Sequence, residues 1–460
     1  MKKILVIAAL LLLNATQAQQ FVGNWIGKIA VQGLKMPLIF RIQEKNGQFS
    51  ATMDSPSQNV NGIPFHEVRI TSNRILLNQP NLGVQYDGTY VNDSLYGNFT
   101  QNGVSYPLNM ARLVGEYTGI AKRPQEPKPK PKFKYRIQEV VIENSAEKVK
   151  LAGTLTIPKG KGPFPAVVLI SGSGPQNRDS EILGHKPFWV IADYLSSNGI
   201  AVLRCDDRGV GKSTGNFSTA TSANFASDAQ AILTFLRKQP QINPTKTGIL
   251  GHSEGGMIAP IAVATDPANG FLILLAAPGI PIDSLMLLQN QLVLRSQGES
   301  ESKIQQYSDF NRACYRLLKS NVDAYELDHQ MELLIQKSYP DSELKAQNIR
   351  PLIQQFTSPW FRYFINYNPD VYLQQIHTPV LVIQGDKDLQ VSPIENMKGI
   401  EASITSNGNK HVELHLVPNK NHLFQTTTTG KVEEYGELEE TFSVEVLEII
   451  KNWILGLPNQ

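Results

Sequence analysis

The sequence has very little cysteine, and it lacks the motifs that hold metals or phosphates. Only Cys205 and Cys314 occur among its 460 residues. Cys205 ends an apolar run, 201–205, that predicts a buried strand, so we expect two free thiols and no cysteine-rich metal site. Glycine-rich phosphate loops and paired-histidine ligand motifs are absent from the sequence. The sequence therefore predicts neither a metal nor an organic cofactor.

A strong charge bias and a long apolar run are also lacking. The formal net charge is +2, and loss of Lys2 and Lys3 with an export signal would bring it to zero. A neutral balance argues against nucleic acid or an anionic membrane surface as the main partner. No later stretch approaches the length of a transmembrane helix, so we expect no membrane span in the mature chain. The sequence leaves the oligomeric state open.

The first 18 residues have the composition of an export signal. Two lysines precede an almost unbroken apolar run, 4–13, and small residues follow it up to Ala18. That run is too short to cross a bilayer as a helix and is typical of a cleaved signal peptide. We expect cleavage after Ala18 and a periplasmic or extracellular protein; a retained signal that anchors the chain is the alternative.

Residues 19–118 predict a small all-β domain. Short stretches of strand-like alternation are separated by three dipeptides that suit hairpin turns, Asn46-Gly47, Asp87-Gly88 and Asn102-Gly103. No helical period occurs here, so a barrel or a sandwich is expected. Aromatic residues of this domain either fill its core, which we favour, or bind carbohydrate: Trp25, Tyr86 and Tyr90.

The next segment, 119–134, is rich in proline and lysine, which alternate at 127–132. Such a composition favours an extended, solvated linker and cannot form a core. We interpret it as a spacer at the domain boundary, with a basic tether to an acidic surface as the alternative.

Residues 135–460 alternate buried strands with helices, which predicts an α/β domain. Apolar runs of strand length, such as 166–170 and 379–383, are separated by segments of helical period. This pattern is typical of a mostly parallel sheet covered by helices on both faces. Only helical segments occur between about 280 and 377, and we interpret this insert as a cap over the carboxyl edge of the sheet.

The pentapeptide Gly251-His252-Ser253-Glu254-Gly255 lies between a predicted strand, 247–250, and a predicted helix. A serine at the tip of such a strand–turn–helix needs glycine two residues before and two residues after it, where a side chain would clash. The pattern predicts that Ser253 is a nucleophile.

A serine nucleophile needs a base and an acid that orients the base. In this chain order the acid comes before the histidine, and each follows a later strand. His422 follows the predicted strand 414–416 and is the expected base, whereas either Asp386 or Asp388 could supply the acid.

The motifs of residues 136–460 resemble the α/β-hydrolase superfamily, in particular its serine-aminopeptidase-like branch of bacterial esterases. The matching segments cover the whole predicted catalytic domain: 172–179, 206–213, 251–255, 385–391 and 421–422. The resemblance implies that Asp388 is the acid and that the backbone amides of Ser173 and Glu254 form the oxyanion hole. Relatives have a histidine where this chain has Ser171, which affects side-chain contacts but not backbone donation.

These observations favour a secreted carboxylesterase that acts on a small-molecule ester. An aromatic group in the insert, Trp360, Phe361 and Phe364, is expected to bind the acyl chain, or alternatively to form the core of the cap. Two other functions compete. The first is a serine peptidase of aminopeptidase type, in which Glu254 or a cap carboxylate holds the substrate amine. The second is a binding protein with an inert hydrolase domain.

Overall fold

The computed structural model describes residues 19–31, 34–58, 60–101, 104–117, 122–127, 133–265, 270–338 and 349–458. The expected export signal, 1–18, lies outside the described residues, as does most of the proline- and lysine-rich segment. The chain forms two compact units. One holds residues 1–122, 182–184 and 339–352, and the other holds 123–181, 185–338 and 353–460.

The first unit contains an antiparallel β domain, as the sequence predicts. Its strands pair in the order β4-β3-β2-β1-β10-β8-β7-β6-β5, and β9 pairs with β8. The strands are β1 Gly23–Val31, β2 Leu34–Lys45, β3 Gln48–Ser55, β4 Val60–Pro64, β5 Glu67–Thr71, β6 Arg74–Gln79, β7 Val84–Val91, β8 Ser94–Gln101, β9 Val104–Pro107 and β10 Met110–Arg112.

Of the three expected hairpin turns in this domain, one is present, one is wrong, and Asn102-Gly103 lies outside the described residues. Asn46-Gly47 joins β2 to β3 with positive φ angles of 54° and 77°. Asp87-Gly88 lies instead inside β7, because Gly88 pairs with Gly97 and a methyl group on Gly88 would lie 2.6 Å from the ring of Tyr86. The β7–β8 turn is Asn92-Asp93, with φ angles of 47° and 59°. Both residue types tolerate this conformation.

The aromatic residues of the β domain belong to its core. Trp25 and Tyr86 are fully buried, and each satisfies its polar atom on the main chain. The indole N–H of Trp25 donates to the carbonyl of Phe21 at 2.8 Å, and the Tyr86 hydroxyl donates to that of Leu108 at 3.2 Å. These two rings therefore fill the core rather than bind carbohydrate.

The second unit is built on an eight-stranded mixed sheet. Its strands pair in the order β11-β12-β14-β13-β15-β16-β17-β18. The two pairs that include β12 are antiparallel, and the five others are parallel. The strands are β11 Tyr135–Asn144, β12 Val149–Pro158, β13 Phe164–Ile170, β14 Ala201–Cys205, β15 Ile242–His252, β16 Phe271–Leu275, β17 Val380–Gly385 and β18 Val412–Val417.

Helices pack on the sheet because the strands are apolar on both faces. They are α1 Pro187–Ser197, α2 Ser222–Arg237, α3 Gly255–Ala264, α10 Pro393–Thr405 and α11 Val444–Gly456. Side chains of α1 and α11 share one core cluster with Val167 and Leu169 of β13. Val168, which points to the opposite face of the strand, is equally buried. Helix α3 is apolar on every side and almost entirely buried.

A helical insert separates β16 from β17. Its helices are α4 Ile282–Ser296, α5 Glu301–Leu318, α6 Ala324–Ser338, α7 Arg350–Phe356, α8 Pro359–Asn366 and α9 Asp370–Leu373. Across the described part of the chain, no helix is long and apolar enough to cross a membrane. Cys205 and Cys314 are both free, as predicted.

Candidate active site

Three polar residues follow three parallel strands of the sheet. Ser253 comes directly after β15, Asp388 follows β17 and His422 follows β18. Strands β15 to β18 are neighbours and pair in parallel, so their carboxyl ends meet at one edge. Residues far apart in sequence thus converge, as is usual for sites of open α/β sheets.

The three side chains form a chain of two hydrogen bonds. His422 Nε2 lies 3.0 Å from Ser253 Oγ, and His422 Nδ1 lies 2.8 Å from Asp388 Oδ2. His422 is 4% exposed and Asp388 is 2% exposed. A carboxylate bound to Nδ1 keeps the proton on that nitrogen, which leaves Nε2 able to accept the serine proton.

Ser253 lies on a strained turn between β15 and α3. Its φ is +57°, a left-handed conformation that is unfavourable for a residue with a side chain. A methyl group on Gly251 would lie 2.1 Å from the carbonyl oxygen of Gly255, and one on Gly255 would lie 2.2 Å from that of Ile170. Both glycines are therefore required for the backbone to pass so closely.

The structure distinguishes the two aspartates that follow β17. Asp388 Oδ1 accepts hydrogen bonds from the amides of Gln390 at 2.8 Å and Val391 at 2.9 Å, which leaves Oδ2 to His422. Asp386 is exposed, and its carboxylate accepts from the amide of Asn419 at 2.6 Å. Asp388 therefore contacts the histidine, whereas Asp386 stabilises the neighbouring turn.

His252 supports the loop that carries His422. Its Nε2 lies 2.8 Å from the backbone carbonyl of His422. Burial, with the nearby His422, lowers the pKa of His252 to about 4. The ring is therefore neutral at pH 7 and donates its Nε2–H to that carbonyl.

The loop after β13 passes beside the serine. A methyl group on Gly172 would lie 3.1 Å from Cβ and 3.6 Å from Oγ of Ser253. The backbone of this loop at Gly172 is thus close to the Ser253 hydroxyl, and Ser173 is the next residue along the loop. The amide of Glu254 lies just before the first turn of α3, where amides have no partner within the helix. The two predicted oxyanion donors are therefore on the segments that flank Ser253.

The carboxylate of Glu254 has a role that the sequence did not predict. The residue is 3% exposed, and its Oε1 accepts from Ser222 Oγ at 2.7 Å and from Trp360 Nε1 at 2.9 Å. Burial raises the pKa of Glu254, and hydrogen bonds from Ser222, Trp360 and Ser173 oppose that rise. Hydrogen-bond donors of the protein itself therefore bind this carboxylate.

Asp207 connects the loop after β13 to the loop after β14. Its Oδ2 accepts from the amide of Gln176 at 2.9 Å, and its own amide donates to the Gln176 carbonyl at 3.1 Å. Burial, together with the nearby Glu254, raises the pKa of Asp207 to about 7. Arg178, on the same loop, binds both carboxylate oxygens of Asp206. These contacts fix the path of the segment that holds Ser173.

The predicted aromatic group lies on α8. Trp360 stacks on Phe364 with ring centroids 5.1 Å apart, and Phe361 lies 5.9 Å from Trp360. Trp360 and Phe361 are half-buried, whereas Phe364 is 8% exposed. The hydrogen bond from Trp360 to Glu254 brings α8 to the residue after the serine. Within the described ranges, no group of three or more histidine, cysteine, aspartate or glutamate side chains could hold a metal ion.

Comparisons with known proteins identify the family of this chain. The model of the family described as serine aminopeptidase, S33 (Hydrolase_4), matches residues 188–426. Esterase EstD of Thermotoga maritima is 28% identical over 322 residues, which cover 67% of this chain and 69% of that protein. A mitochondrial palmitoyl-protein thioesterase of Bos taurus is 28% identical over 143 residues, or 31% of this chain and 42% of that protein.

Solved structures include an esterase of Pyrococcus furiosus with a TM-score of 0.45 and 16% identity, covering 75% of this chain and all of that one. The family match carries the assignment, since it spans just over half of the chain and includes Ser253, Asp388 and His422. The chain therefore belongs to the S33 serine aminopeptidase family of α/β-hydrolases.

Proposed function

We propose that this hydrolase, an enzyme of the carboxylesterase type, cleaves carboxylic esters through an acyl-enzyme formed on Ser253. The observation that carries the proposal is the unbroken pair of hydrogen bonds from Ser253 through His422 to Asp388. The name of the Thermotoga maritima relative, an esterase, supports the same reaction.

The reaction begins when Ser253 Oγ attacks the acyl carbon of the ester. His422 Nε2 takes the hydroxyl proton, and the imidazolium that forms is stabilised by Asp388 Oδ2 at Nδ1. The carbonyl oxygen becomes an oxyanion, which the backbone amides of Ser173 and Glu254 stabilise. Collapse of the tetrahedral intermediate breaks the bond to the alcohol, and His422 gives its proton to the departing oxygen.

Water then completes the cycle. It attacks the acyl carbon while His422 Nε2 takes one of its protons, and a second oxyanion forms in the same hole. When this intermediate collapses, Ser253 Oγ leaves and recovers a proton from His422. The free enzyme and a carboxylic acid result.

The state of Glu254 favours an ester over an amino-terminal peptide. An aminopeptidase needs a carboxylate that can pair with the free amine of its substrate. Glu254 is almost fully buried, and its Oε1 already accepts from Ser222 and Trp360. Displacing these bonds would leave buried polar groups without partners, which costs about 1–3 kcal/mol for each group.

We propose further that the helical insert acts as a cap and that its aromatic group binds the acyl chain. Trp360 and Phe361 retain partly exposed ring surface and lie on the helix bound to Glu254. Phe364 stacks on Trp360 and supports it from the buried side. An apolar surface of this kind stabilises a bound acyl chain by about 0.8 kcal/mol per buried methylene.

Export of the protein is also a proposal. Cleavage after Ala18 would give a mature chain that begins at Gln19, and the amino-terminal sequence of protein recovered from the periplasm or the medium tests it. Recovery of an intact Met1 in the membrane fraction would indicate a retained signal instead.

A substrate panel tests the reaction. We expect p-nitrophenyl esters of two to ten carbons to be hydrolysed with a kcat/KM far above that of Ser253→Ala. Aminoacyl p-nitroanilides should be cleaved poorly. Faster cleavage of the anilides would make the protein an aminopeptidase, and no turnover above the Ser253→Ala background would make it a binding protein.

A further inference from the structure

Residues 123–127, here called the strap, bind to the catalytic unit although they precede its first strand. Gln125 makes three hydrogen bonds to the main chain of residues 441–442. Its Nε2 donates to the carbonyl of Phe442 at 2.7 Å, and its Oε1 accepts from the amides of Thr441 at 2.6 Å and Phe442 at 3.0 Å. The sequence predicted a solvated spacer here, and that expectation is wrong for the strap.

The strap is held at two further points. Arg123 donates from Nη1 to the carbonyl of Leu438 and from Nη2 to that of Gly436, each at 2.9 Å. Glu126 Oε1 accepts from the amide of Lys186 at 2.9 Å, just before α1. Arg123 and Gln125 thus form hydrogen bonds with main-chain atoms of residues 435–442. These residues are here called the Tyr435 loop.

The other side of the Tyr435 loop supports the turn that carries His422. The carbonyl of Tyr435 accepts from His185 Nε2 at 2.8 Å and from Gln425 Nε2 at 3.1 Å. The backbone amide of Gln425 in turn donates to Asn421 Oδ1 at 2.9 Å, and Gln425 Oε1 accepts from Asn421 Nδ2 at 2.9 Å. Asn421 directly precedes His422, so these bonds connect the Tyr435 loop to the proposed base, His422, through Gln425.

The same loop also reaches the turn that carries the acid. The Tyr435 ring is 1% exposed, and its hydroxyl accepts from Gln390 Nε2 at 3.2 Å. Gln390 donates its amide to Asp388 Oδ1. The Tyr435 loop therefore lies between the strap on one side and the turns of His422 and Asp388 on the other.

We propose that Arg123 and Gln125 are positioning residues that hold the Tyr435 loop and, through it, the imidazole of His422 in line with Ser253. The expected effect on turnover rests on the proposed ester hydrolysis. The expected effect on the order of the Tyr435 loop does not. Neither residue touches the substrate or the reacting atoms. Proton transfer depends steeply on the alignment of Nε2 with Oγ, so a looser loop lowers turnover before it unfolds the protein.

Kinetics of full-length point variants test the proposal. Gln125→Ala and Arg123→Ala are compared with Arg136→Ala, which removes an exposed arginine at the start of β11. Active sites are counted with a fluorophosphonate, so that kcat refers to labelled sites alone. We expect kcat per site to fall about threefold to thirtyfold in the strap variants, a range typical of residues that act through others, with KM nearly unchanged.

Arg123→Lys should recover part of the loss, because an ammonium can still donate to one of the two carbonyls. An unchanged kcat per site in both alanine variants, with only fewer labelled sites, would overturn the positioning role. If one variant fails to fold, the other still decides the question.

Hydrogen–deuterium exchange separates this proposal from the proposed function. Gln125→Ala should exchange faster than wild type in residues 420–442, while Arg136→Ala should not. Equal exchange in that segment would overturn the strap proposal whatever the enzyme hydrolyses. A wild-type protein without esterase activity but with the expected exchange would instead refute only the proposed reaction.

Discussion

Trp360 Nε1 donates a hydrogen bond to Glu254 Oε1 over 2.9 Å, and Glu254 is the residue that follows Ser253. This bond links the helical insert to the turn of the proposed nucleophile across 106 positions of sequence. Ser222 donates to the same oxygen. The insert therefore contributes directly to the environment of the site.

Trp360→Phe removes this donor and keeps an aromatic ring. Loss of one partner from a buried carboxylate should lower the free energy of unfolding by about 1–3 kcal/mol. The acyl-length profile should also shift, because α8 loses its anchor beside Ser253. Urea denaturation and kcat/KM for esters of increasing length measure the two effects. Trp189→Phe, a matched change on α1, should leave the profile unchanged. Equal behaviour of the two variants would refute a role for the Trp360 bond.

Phe361 and Phe364 should respond differently to alanine. Phe364 is 8% exposed and stacks on Trp360, so Phe364→Ala should open a cavity. The free energy of unfolding should fall by about 3 kcal/mol or more, and kcat/KM should fall equally for all esters. Phe361 is half-buried, and Phe361→Ala should mainly reduce kcat/KM for long acyl esters. Melting temperatures measured beside acyl-length profiles distinguish the two outcomes. A changed profile in a fully stable Phe364→Ala variant would place Phe364 in the pocket itself.

Local sequence patterns predicted most of the candidate site. The two glycines around Ser253 are dictated by close backbone contacts, of Gly251 with Gly255 and of Gly255 with Ile170. The local pattern after β17 left Asp386 and Asp388 open, and the resemblance to relatives favoured Asp388. The hydrogen bonds from Trp360 to Glu254 and from Arg123 to Gly436 join residues 106 and 313 positions apart. A local sequence pattern does not predict which distant residues come into contact in the folded chain.

The errors have the same origin. Asp87-Gly88 has the composition of a turn, but Gly88 is required by close packing of β7 on β8 and against Tyr86. The strap has the composition of a spacer, yet main-chain groups of a distant loop supply its partners. In both segments tertiary contacts override the preference of the local sequence.

Asp388→Asn should be far more damaging than Asp386→Asn. An amide at position 388 cannot hold His422 in the required tautomer, and such a change can lower kcat by about 10⁴-fold. Asp386 is exposed, and its carboxylate bonds to the amide of Asn419 rather than to His422, so Asp386→Asn should lower kcat by less than about tenfold. Steady-state kinetics on one ester compare the two, and a reversed ranking would transfer the acid role to Asp386.

Ser253→Gly should give a more stable protein than Ser253→Ala. The position has a φ of +57°, which costs a residue with a side chain about 1–2 kcal/mol but costs glycine little. Both variants should lose turnover by about 10⁶-fold, since each lacks the nucleophile. Urea denaturation of the pair measures the difference. A glycine variant no more stable than the alanine variant would show that the turn stores no such strain.

The buried ring of His185 should make the folded protein less stable as the pH is lowered from 7 to 5, whereas the raised pKa of Asp207 acts in the opposite direction. Burial lowers the pKa of His185 to about 4, against an ordinary value of about 6.5 in the unfolded chain. Between these values the unfolded chain binds a proton that the folded protein does not, so acid favours unfolding. His252 contributes in the same direction.

His185→Gln tests this dependence. Removing this ring should lower the slope of unfolding free energy against pH, between pH 5 and 7, by up to about 1.4 kcal/mol per pH unit. The variant should also be less stable at pH 7, because His185 bonds to Thr441 and Tyr435. His411→Gln, a change at an exposed histidine, serves as the control. The same slope in His185→Gln as in wild type would contradict the assignment of a neutral buried ring.

We infer that Ser253, activated by His422 and Asp388, forms the acyl-enzyme. Intact-mass measurement after treatment with a fluorophosphonate, followed by peptide mapping, tests it most directly. We predict a single adduct on Ser253, loss of ester hydrolysis in proportion to labelling, and no adduct in Ser253→Ala or in His422→Ala over the same time. An adduct on another residue, or full esterase activity in completely labelled protein, would show that Ser253 is not the nucleophile.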